Sequence, residues 1–352
     1  MVARVAQVGF GHRAVSGRAE AGRGGATGNR RLTRAARAGF LLVPAGALLG
    51  GCGGPLSALD PAGPAAAATA QLWWWMLGGA TLILVGVMAL LAYALAGGGR
   101  SPSTAALLGG AGIAFPLVVL TALLVFSLRT GEALLPRTGG DAPLRVEAHA
   151  RQWWWEFVYP DFAGRPLHTA GELHIPAGRA IEVEVMAHDV IHSFWVPRLG
   201  GKIDAIPGHR TRIRLGPVAP GTYRGQCAEF CGLQHTFMGF QVIAHTPDAF
   251  QARLDALARP PEPARPGAAE FVAACGQCHS ADARRPSSGP NLAGVAGRQW
   301  LGGGALANDG PDAFARWIAQ HPVLKPGSHE PHHGLLEAAA ADSIARYLGG
   351  LR

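Results

Sequence analysis

Charge is scarce in this chain of 352 residues: Asp, Glu, Lys and Arg make up 15% of it, against 49% apolar residues. That balance leans towards membrane association. A basic surface is missing as well, although the formal net charge is +8. Residues 1–51 hold eight Arg and one acid, Glu20, and without them 23 basic and 22 acidic residues remain. The excess is a property of the leader, so a nucleic-acid partner is excluded. Methionine is rare and stops early, at positions 1, 76, 88, 186 and 238. Two long runs, residues 72–96 and 104–128, carry no charge at all. The length allows two or three domains.

Residues 1–51 read as an export leader. Arg30, Arg31, Arg34 and Arg37 precede a short apolar stretch that ends in Leu49-Gly50-Gly51-Cys52. The last four residues resemble the lipobox of bacterial lipoproteins, which implies lipidation of Cys52; the plainer reading is a stray Cys after an anchor segment. Residues 52–71 form a segment outside the membrane. Residues 72–130 then read as a transmembrane helical hairpin, because 25 apolar residues at 1.5 Å each span roughly 37 Å, more than the ~30 Å hydrocarbon core. Trp73, Trp74 and Trp75 stand where an interfacial aromatic belt belongs. The short connection carries Arg100 on the inner side, which returns everything after Arg129 to the outside.

Residues 140–248 change to a period of two, as in Ala180-Ile-Glu-Val-Glu-Val, with Pro-Gly turns between segments. This predicts an all-β Greek-key sandwich or barrel. Within it lies Cys227-Ala-Glu229-Phe-Cys231-Gly-Leu-Gln-His235-Thr-Phe-Met238. Thiolates and a thioether select copper, and imidazole accepts it. His192, in Asp189-Val-Ile-His192-Ser-Phe, is a further candidate. A Cys227–Cys231 disulfide remains open in an oxidising compartment, and so does zinc, for which Met is a poor ligand.

These residues, with Lys202-Ile-Asp204-Ala-Ile206-Pro207-Gly208, resemble the binuclear copper (CuA) domain of cytochrome c oxidase subunit II. The resemblance implies a cupredoxin barrel in which Cys227 and Cys231 bridge two coppers. His192 and His235 would each bind one copper, and Met238 and the carbonyl of Glu229 would complete the shells. The Glu229 side chain would face a magnesium site shared with subunit I. Gln152-Trp153-Trp154-Trp155-Glu156 is similar to the family's aromatic patch, where electrons enter at the position of Trp153. Packing or surface anchoring is the alternative for three adjacent tryptophans. The family often has His where Arg151 stands.

Residues 249–267 predict a short helix over 250–257 and a Pro-rich, semi-rigid spacer able to reach about 30 Å. Residues 268–352 open with Cys275-Gly-Gln-Cys278-His279, a c-type haem attachment in which two thiols fasten the haem and His279 binds the iron. A redox disulfide is the alternative. The segment resembles an all-α class I cytochrome c, as fused to oxidase subunit II in the caa3 type, with Pro290 supporting His279. Helices are expected over 312–320 and 335–348. That family carries a distal Met after Leu324-Lys-Pro-Gly327, and none stands here. His329 or His332 is therefore the expected distal ligand, with a surface His cluster and a five-coordinate or water-bound iron as the alternative.

The combined reading is a multidomain electron-receiving subunit of a haem–copper oxidase in the bacterial cytoplasmic membrane, with both C-terminal domains outside. Electrons from cytochrome c or a membrane reductase would pass through haem c and CuA to subunit I, which carries haem a and CuB. Membrane lipid and the other oxidase subunits are the expected partners. The hairpin has no His for haem or CuB, so oxygen reduction belongs to another chain. A quinol-oxidase subunit would lack the copper ligands, and a nitrous oxide reductase would need a large catalytic domain. The rival from another class is a membrane-anchored copper-delivery or redox-assembly protein.

Overall fold

A computed structural model describes residues 52–97, 103–134, 143–328 and 336–352, without the side chains of 132–134. The leader and the distal candidates His329 and His332 lie outside the described residues. The first helix, α1, runs over Pro64–Leu95, eight residues earlier than the apolar run suggested. Pro64 occupies its first turn, where a missing N–H costs nothing. Ala66 and Ala70 are buried, because this turn packs on the β domain. The backbone N–H groups of Ala62 and Gly63 donate to Arg198 O at 2.7 and 3.0 Å, and Arg198 pairs with Asp60 at 3.1 Å. Trp73, Trp74 and Trp75 follow within about one turn of Ala70 and are exposed.

The second apolar segment begins as a π-helix, Ala106–Ala114, and continues as α2, Phe115–Leu134. Gly109, Gly110 and Gly112 within the π turn have no side chains to crowd it. Both segments are long and apolar enough to cross a membrane, and their apolar windows are unburied within the protein. Such faces need lipid or partner helices.

Ten strands follow: β1 (Leu144–Arg151), β2 (Trp154–Phe162), β3 (Arg165–Ala170), β4 (Glu172–Pro176), β5 (Ile181–Ala187), β6 (His192–Trp195), β7 (Lys202–Ala205), β8 (Thr211–Leu215), β9 (Gly221–Cys227) and β10 (Gly239–His245). They form two five-stranded sheets, β3-β2-β1-β5-β8 and β4-β10-β9-β6-β7. The β1–β5 and β10–β4 pairs are parallel and the others antiparallel, so the chain crosses between sheets rather than running as a meander. Strand β5 alternates buried and half-buried residues throughout, as the period of two requires. The core between the sheets holds Trp155, Phe157, Phe194 and Phe240. Phe194 and Phe240 stack at 4.7 Å, and each such burial is worth roughly 1.5–3 kcal/mol. Gly225 makes room for them: a Cβ there would stand 2.3 Å from the Phe240 ring.

Helix α3 (Pro247–Leu257) closes the β domain with Leu254 and Leu257 buried. The C-terminal domain contains α4 (Ala268–Ala274), α5 (Pro311–Leu324) and α6 (Ala338–Gly349) around a second core with Phe271, Phe314, Ile344 and Leu348. It is not wholly α-helical. A two-stranded antiparallel pair, β11 (Trp300–Leu301) with β12 (Leu306–Ala307), folds over the glycines 302–304, all of which have positive φ. At the end of the Pro-rich segment Arg265 donates to Gly350 O at 2.6 Å.

The two domains meet over an extensive polar contact. Lys325 Nζ donates to Trp153 O at 2.7 Å and to Gly302 O at 3.0 Å. The N–H of Gly239 donates to Gly303 O at 2.9 Å, and that of His168 to Ala283 O at 2.8 Å. Arg284 donates to Phe162 O and Arg165 O and lies over the Phe162 ring.

Candidate metal and haem sites

The metal candidates come from two neighbouring strand ends. Cys227 ends β9 and His192 begins β6, and the register pairs Phe194 with Cys227. The loop after β9 then turns Cys231, His235 and Met238 back towards the same point. Cys227 Sγ lies 3.8 Å from His192 Nδ1 and 3.9 Å from Cys231 Sγ. Cys231 Sγ lies 3.5 Å from His235 Nδ1 and 3.8 Å from Met238 Sδ. The Cys227 thiol points at Glu229 O, 3.3 Å away. His192, Cys227 and Cys231 form a buried group able to hold a metal ion. Both Cys are free thiols, so the disulfide expected as an alternative is not formed.

Electrostatics prepares this cluster for a cation. The hydrogen bond from Cys231, helped by His192, pulls the Cys227 thiol well below its usual value against its burial. The same pairing pushes Cys231 up. His192 Nε2 lies 2.7 Å from Asp189 Oδ1, which directs Nδ1 to the sulfurs. Burial opposes protonation of His192, but Cys227 and Asp189 outweigh it and raise its pKa. Burial would raise Asp189, yet His192 and the N–H groups of Gln152 and Val190 hold it low. The soft donor set, with a carboxylate fixing one imidazole, fits copper. The Glu229 side chain is half-exposed and faces Lys202 at 3.7 Å.

The three tryptophans have different surroundings. Trp155 is fully buried and meets Phe194 edge-on. Trp154 lies under the Arg151 guanidinium at 5.9 Å. Trp153 is buried, and its Nε1 donates to Cys231 O at 2.9 Å. Gln152 Nε2 donates to the same carbonyl at 2.8 Å.

A cavity of about 520 Å³ opens between the two domains. Cys275, Cys278 and His279 line one side, with apolar walls from Leu292, Val295, Phe314, Ile318, Ile344 and Leu348; Trp153 and Trp154 line it from the β domain. His279 Nδ1 donates to Pro290 O at 2.8 Å, which leaves Nε2 as the free lone pair. Gly289 lets the chain pass close to this ring: a Cβ would stand 3.0 Å from His279 Cε1. Apolar walls, paired thiols and a fixed imidazole fit a covalently held haem.

Sequence reading alone missed Asp189 as the orienting group, Gln152 as a second donor to Cys231 O, and Lys325 as the tie to Trp153. Asp189 stood in a quoted motif. Gln152 and Lys325 stood in quoted motifs too, but their partners are carbonyl groups distant in sequence, which no motif names. Cys52 is partly buried, with Ser57 Oγ donating to its carbonyl at 2.6 Å.

Comparison with known proteins agrees with this geometry. Residues 164–245 match the family "Cytochrome C oxidase subunit II, periplasmic domain". Cytochrome c oxidase subunit 2 of Alkalihalophilus pseudofirmus is 32% identical over 220 residues, 60% of this chain and 63% of that protein. The chain thus spans somewhat under two thirds of that relative's length. The subunit 2 of Thermostichus vulcanus is 46% identical over 117 residues, 33% of this chain and 34% of that one. The periplasmic domain of subunit II from Bradyrhizobium japonicum is 30% identical, covering 34% of this chain and 95% of that one, with a TM-score of 0.31. Behind two helices able to span a membrane, this chain therefore carries a segment similar to the periplasmic domain of cytochrome c oxidase subunit II.

Proposed function

We propose that the chain is the electron-receiving subunit of a haem–copper terminal oxidase. Electrons taken from cytochrome c or a membrane reductase at the C-terminal domain reach a binuclear copper centre and then haem in subunit I, where oxygen becomes water. When bound, haem c and copper supply the one-electron carriers; the protein's own groups supply position and insulation. His279 would hold the haem iron, with Cys275 and Cys278 fastening the ring. Cys227 and Cys231 would bridge the coppers, with His192, His235, Met238 and the Glu229 carbonyl as terminal ligands. The alternative of a single copper-delivery site is weaker, because a closed donor set buried in a β sandwich does not release metal readily.

One observation carries this reading: Trp153 touches both sites. Its ring lines the cavity that also holds Cys275, Cys278 and His279, and its Nε1–H binds the carbonyl of Cys231. Lys325 fixes the Trp153 backbone from the haem side. Electron transfer with little rearrangement needs such a short, stiff, water-free connection. The domain contacts keep the cavity against Trp153, so no swing of a linker is required. The magnesium assignment rests on the resemblance alone, since Glu229 meets Lys202. Residence in the bacterial cytoplasmic membrane, with both C-terminal domains outside and Cys52 lipidated, follows from the leader and the hairpin. The test is flash-induced electron transfer in the purified chain, loaded with haem and copper. The reading expects copper to be reduced as haem is oxidised, at a rate independent of protein concentration. A concentration-dependent rate would contradict a fixed internal route.

A further inference from the structure

The haem cavity is not walled by the haem domain alone. Glu172, the first residue of β4 in the copper domain, lines it and is 5% exposed. Its register partner Gln241 on β10 binds Gln299 of the haem domain at 2.8 Å. Every packed element presents something to this carboxylate. Helix α3 offers Arg253, the haem domain offers Arg298 and the backbone N–H of Gln299, and β4 itself offers His174. The Arg298 guanidinium donates to Asn291 O and Ala293 O. Burial lowers its pKa to about 10.

Two imidazoles lie between this carboxylate and the surface. His174 Nε2 lies 3.7 Å from Glu172 Oε2, and its Nδ1 lies 3.0 Å from Nε2 of the half-exposed His245. Tyr159 holds this relay in place, donating to His174 O at 2.7 Å and accepting from His174 N–H at 2.8 Å. Burial keeps His174 neutral, its pKa well below the usual value. A neutral imidazole can accept a proton on one nitrogen and release one from the other. Glu172 itself is pushed up by burial, against Arg298 and Arg253.

We propose that Glu172 of the copper domain is the redox-linked proton site of the haem cavity. When one electron enters from a one-electron donor protein, one proton from solvent crosses His245 and His174 and forms an O–H bond on the Glu172 carboxylate. When the electron leaves for the copper centre, that bond breaks and the proton returns to solvent. The electron and proton balance, and net negative charge does not accumulate in a low-dielectric cavity. The inference rests on the cytochrome reading above, because it needs a haem held by Cys275, Cys278 and His279.

The experiment uses the full chain in detergent, with covalent haem verified by its alkaline pyridine spectrum. The haem potential is then titrated spectroelectrochemically from about pH 5 to 9, a range around an elevated carboxylate pKa. Infrared difference spectra are recorded between the two redox states. The wild type is expected to show a potential that falls as pH rises, by up to a tenfold change in equilibrium per pH unit, or ~59 mV. A carboxylic-acid C=O band should appear on reduction. Glu172→Gln should flatten the slope and remove the band, while Glu172→Asp should keep a slope with a displaced midpoint. An unaltered slope in Glu172→Gln overturns the inference. Should that variant fail to fold, the wild type decides: a pH-independent potential, or no carboxylic-acid band on reduction, overturns it. Absence of covalent haem overturns the cytochrome reading and this inference together, whereas haem with a pH-independent potential overturns this inference alone.

Discussion

The candidate copper ligands and the proposed haem cavity are assembled from very different spans of chain. Four of the five ligand side chains come from one loop of twelve residues, and the fifth sits on the adjoining strand of the same sheet. Their donor atoms already converge, with 3.5–3.9 Å between neighbours. The proposed haem cavity takes its thiols and imidazole from one domain but Trp153, Trp154 and Glu172 from the other. A site contained in one rigid sheet tolerates disturbance elsewhere; a site shared between domains depends on every contact that holds them together. Changes near copper should therefore alter metal binding alone, and changes at the domain contact should alter communication while leaving each metal in place.

The largest effect is expected for Cys227→Ser or Cys231→Ser, which removes one of two shared sulfurs. Metal analysis should show loss of the binuclear centre with the haem content unaltered. Trp153→Phe keeps an aromatic ring but loses the bond to Cys231 O. Flash photolysis should show slower internal transfer, on the order of a hundredfold if the ring shifts by ~1 Å, at full copper occupancy. Asp189→Asn should weaken copper binding by roughly 10–100-fold, read by competition with a chelator, because His192 loses its orienting partner.

Stability should respond more gently. Lys325→Met removes the tie between Gly302 and Trp153 and should cost about 1–3 kcal/mol of thermal stability. Internal transfer should slow in the same variant. Glu156 gives a pH-dependent check within the copper domain. Burial would raise its carboxyl, but the hydrogen bond from His168, with Arg151 nearby, holds it low. A lowered folded pKa contributes stability above the ordinary value, about 4.3, that is lost as pH falls through the folded value. Glu156→Gln should therefore flatten the acid side of the stability profile and leave neutral pH behaviour to packing. Equal acid profiles in both proteins would show that the His168 pair contributes nothing.

The same contrast explains what could be read from the sequence. A twelve-residue word with soft donors states its chemistry locally, and the structure brings those residues together. The apolar runs stated two long helices, but not that the first begins at Pro64, because Ala66 and Ala70 owe their burial to the β domain. Alternation in β5 stated a half-buried strand; the crossed order of the sheets depends on pairings between distant segments. The β11–β12 pair escaped notice, since two-residue strands show no period. Trp153 was legible as a candidate, while its contact with Lys325, 172 positions away, was not. The bond from Arg265 at the end of the Pro-rich spacer to Gly350 O, 85 positions away, was not legible either.

The central claim is that the Cys227–Met238 loop and His192 hold two coppers sharing one electron. Electron paramagnetic resonance of the full chain, loaded with copper and haem, tests it directly when combined with metal analysis. The account predicts two coppers per chain and one signal with hyperfine coupling to both nuclei. One copper per chain with single-nucleus coupling, or no bound copper, would contradict it and leave copper delivery as the better reading.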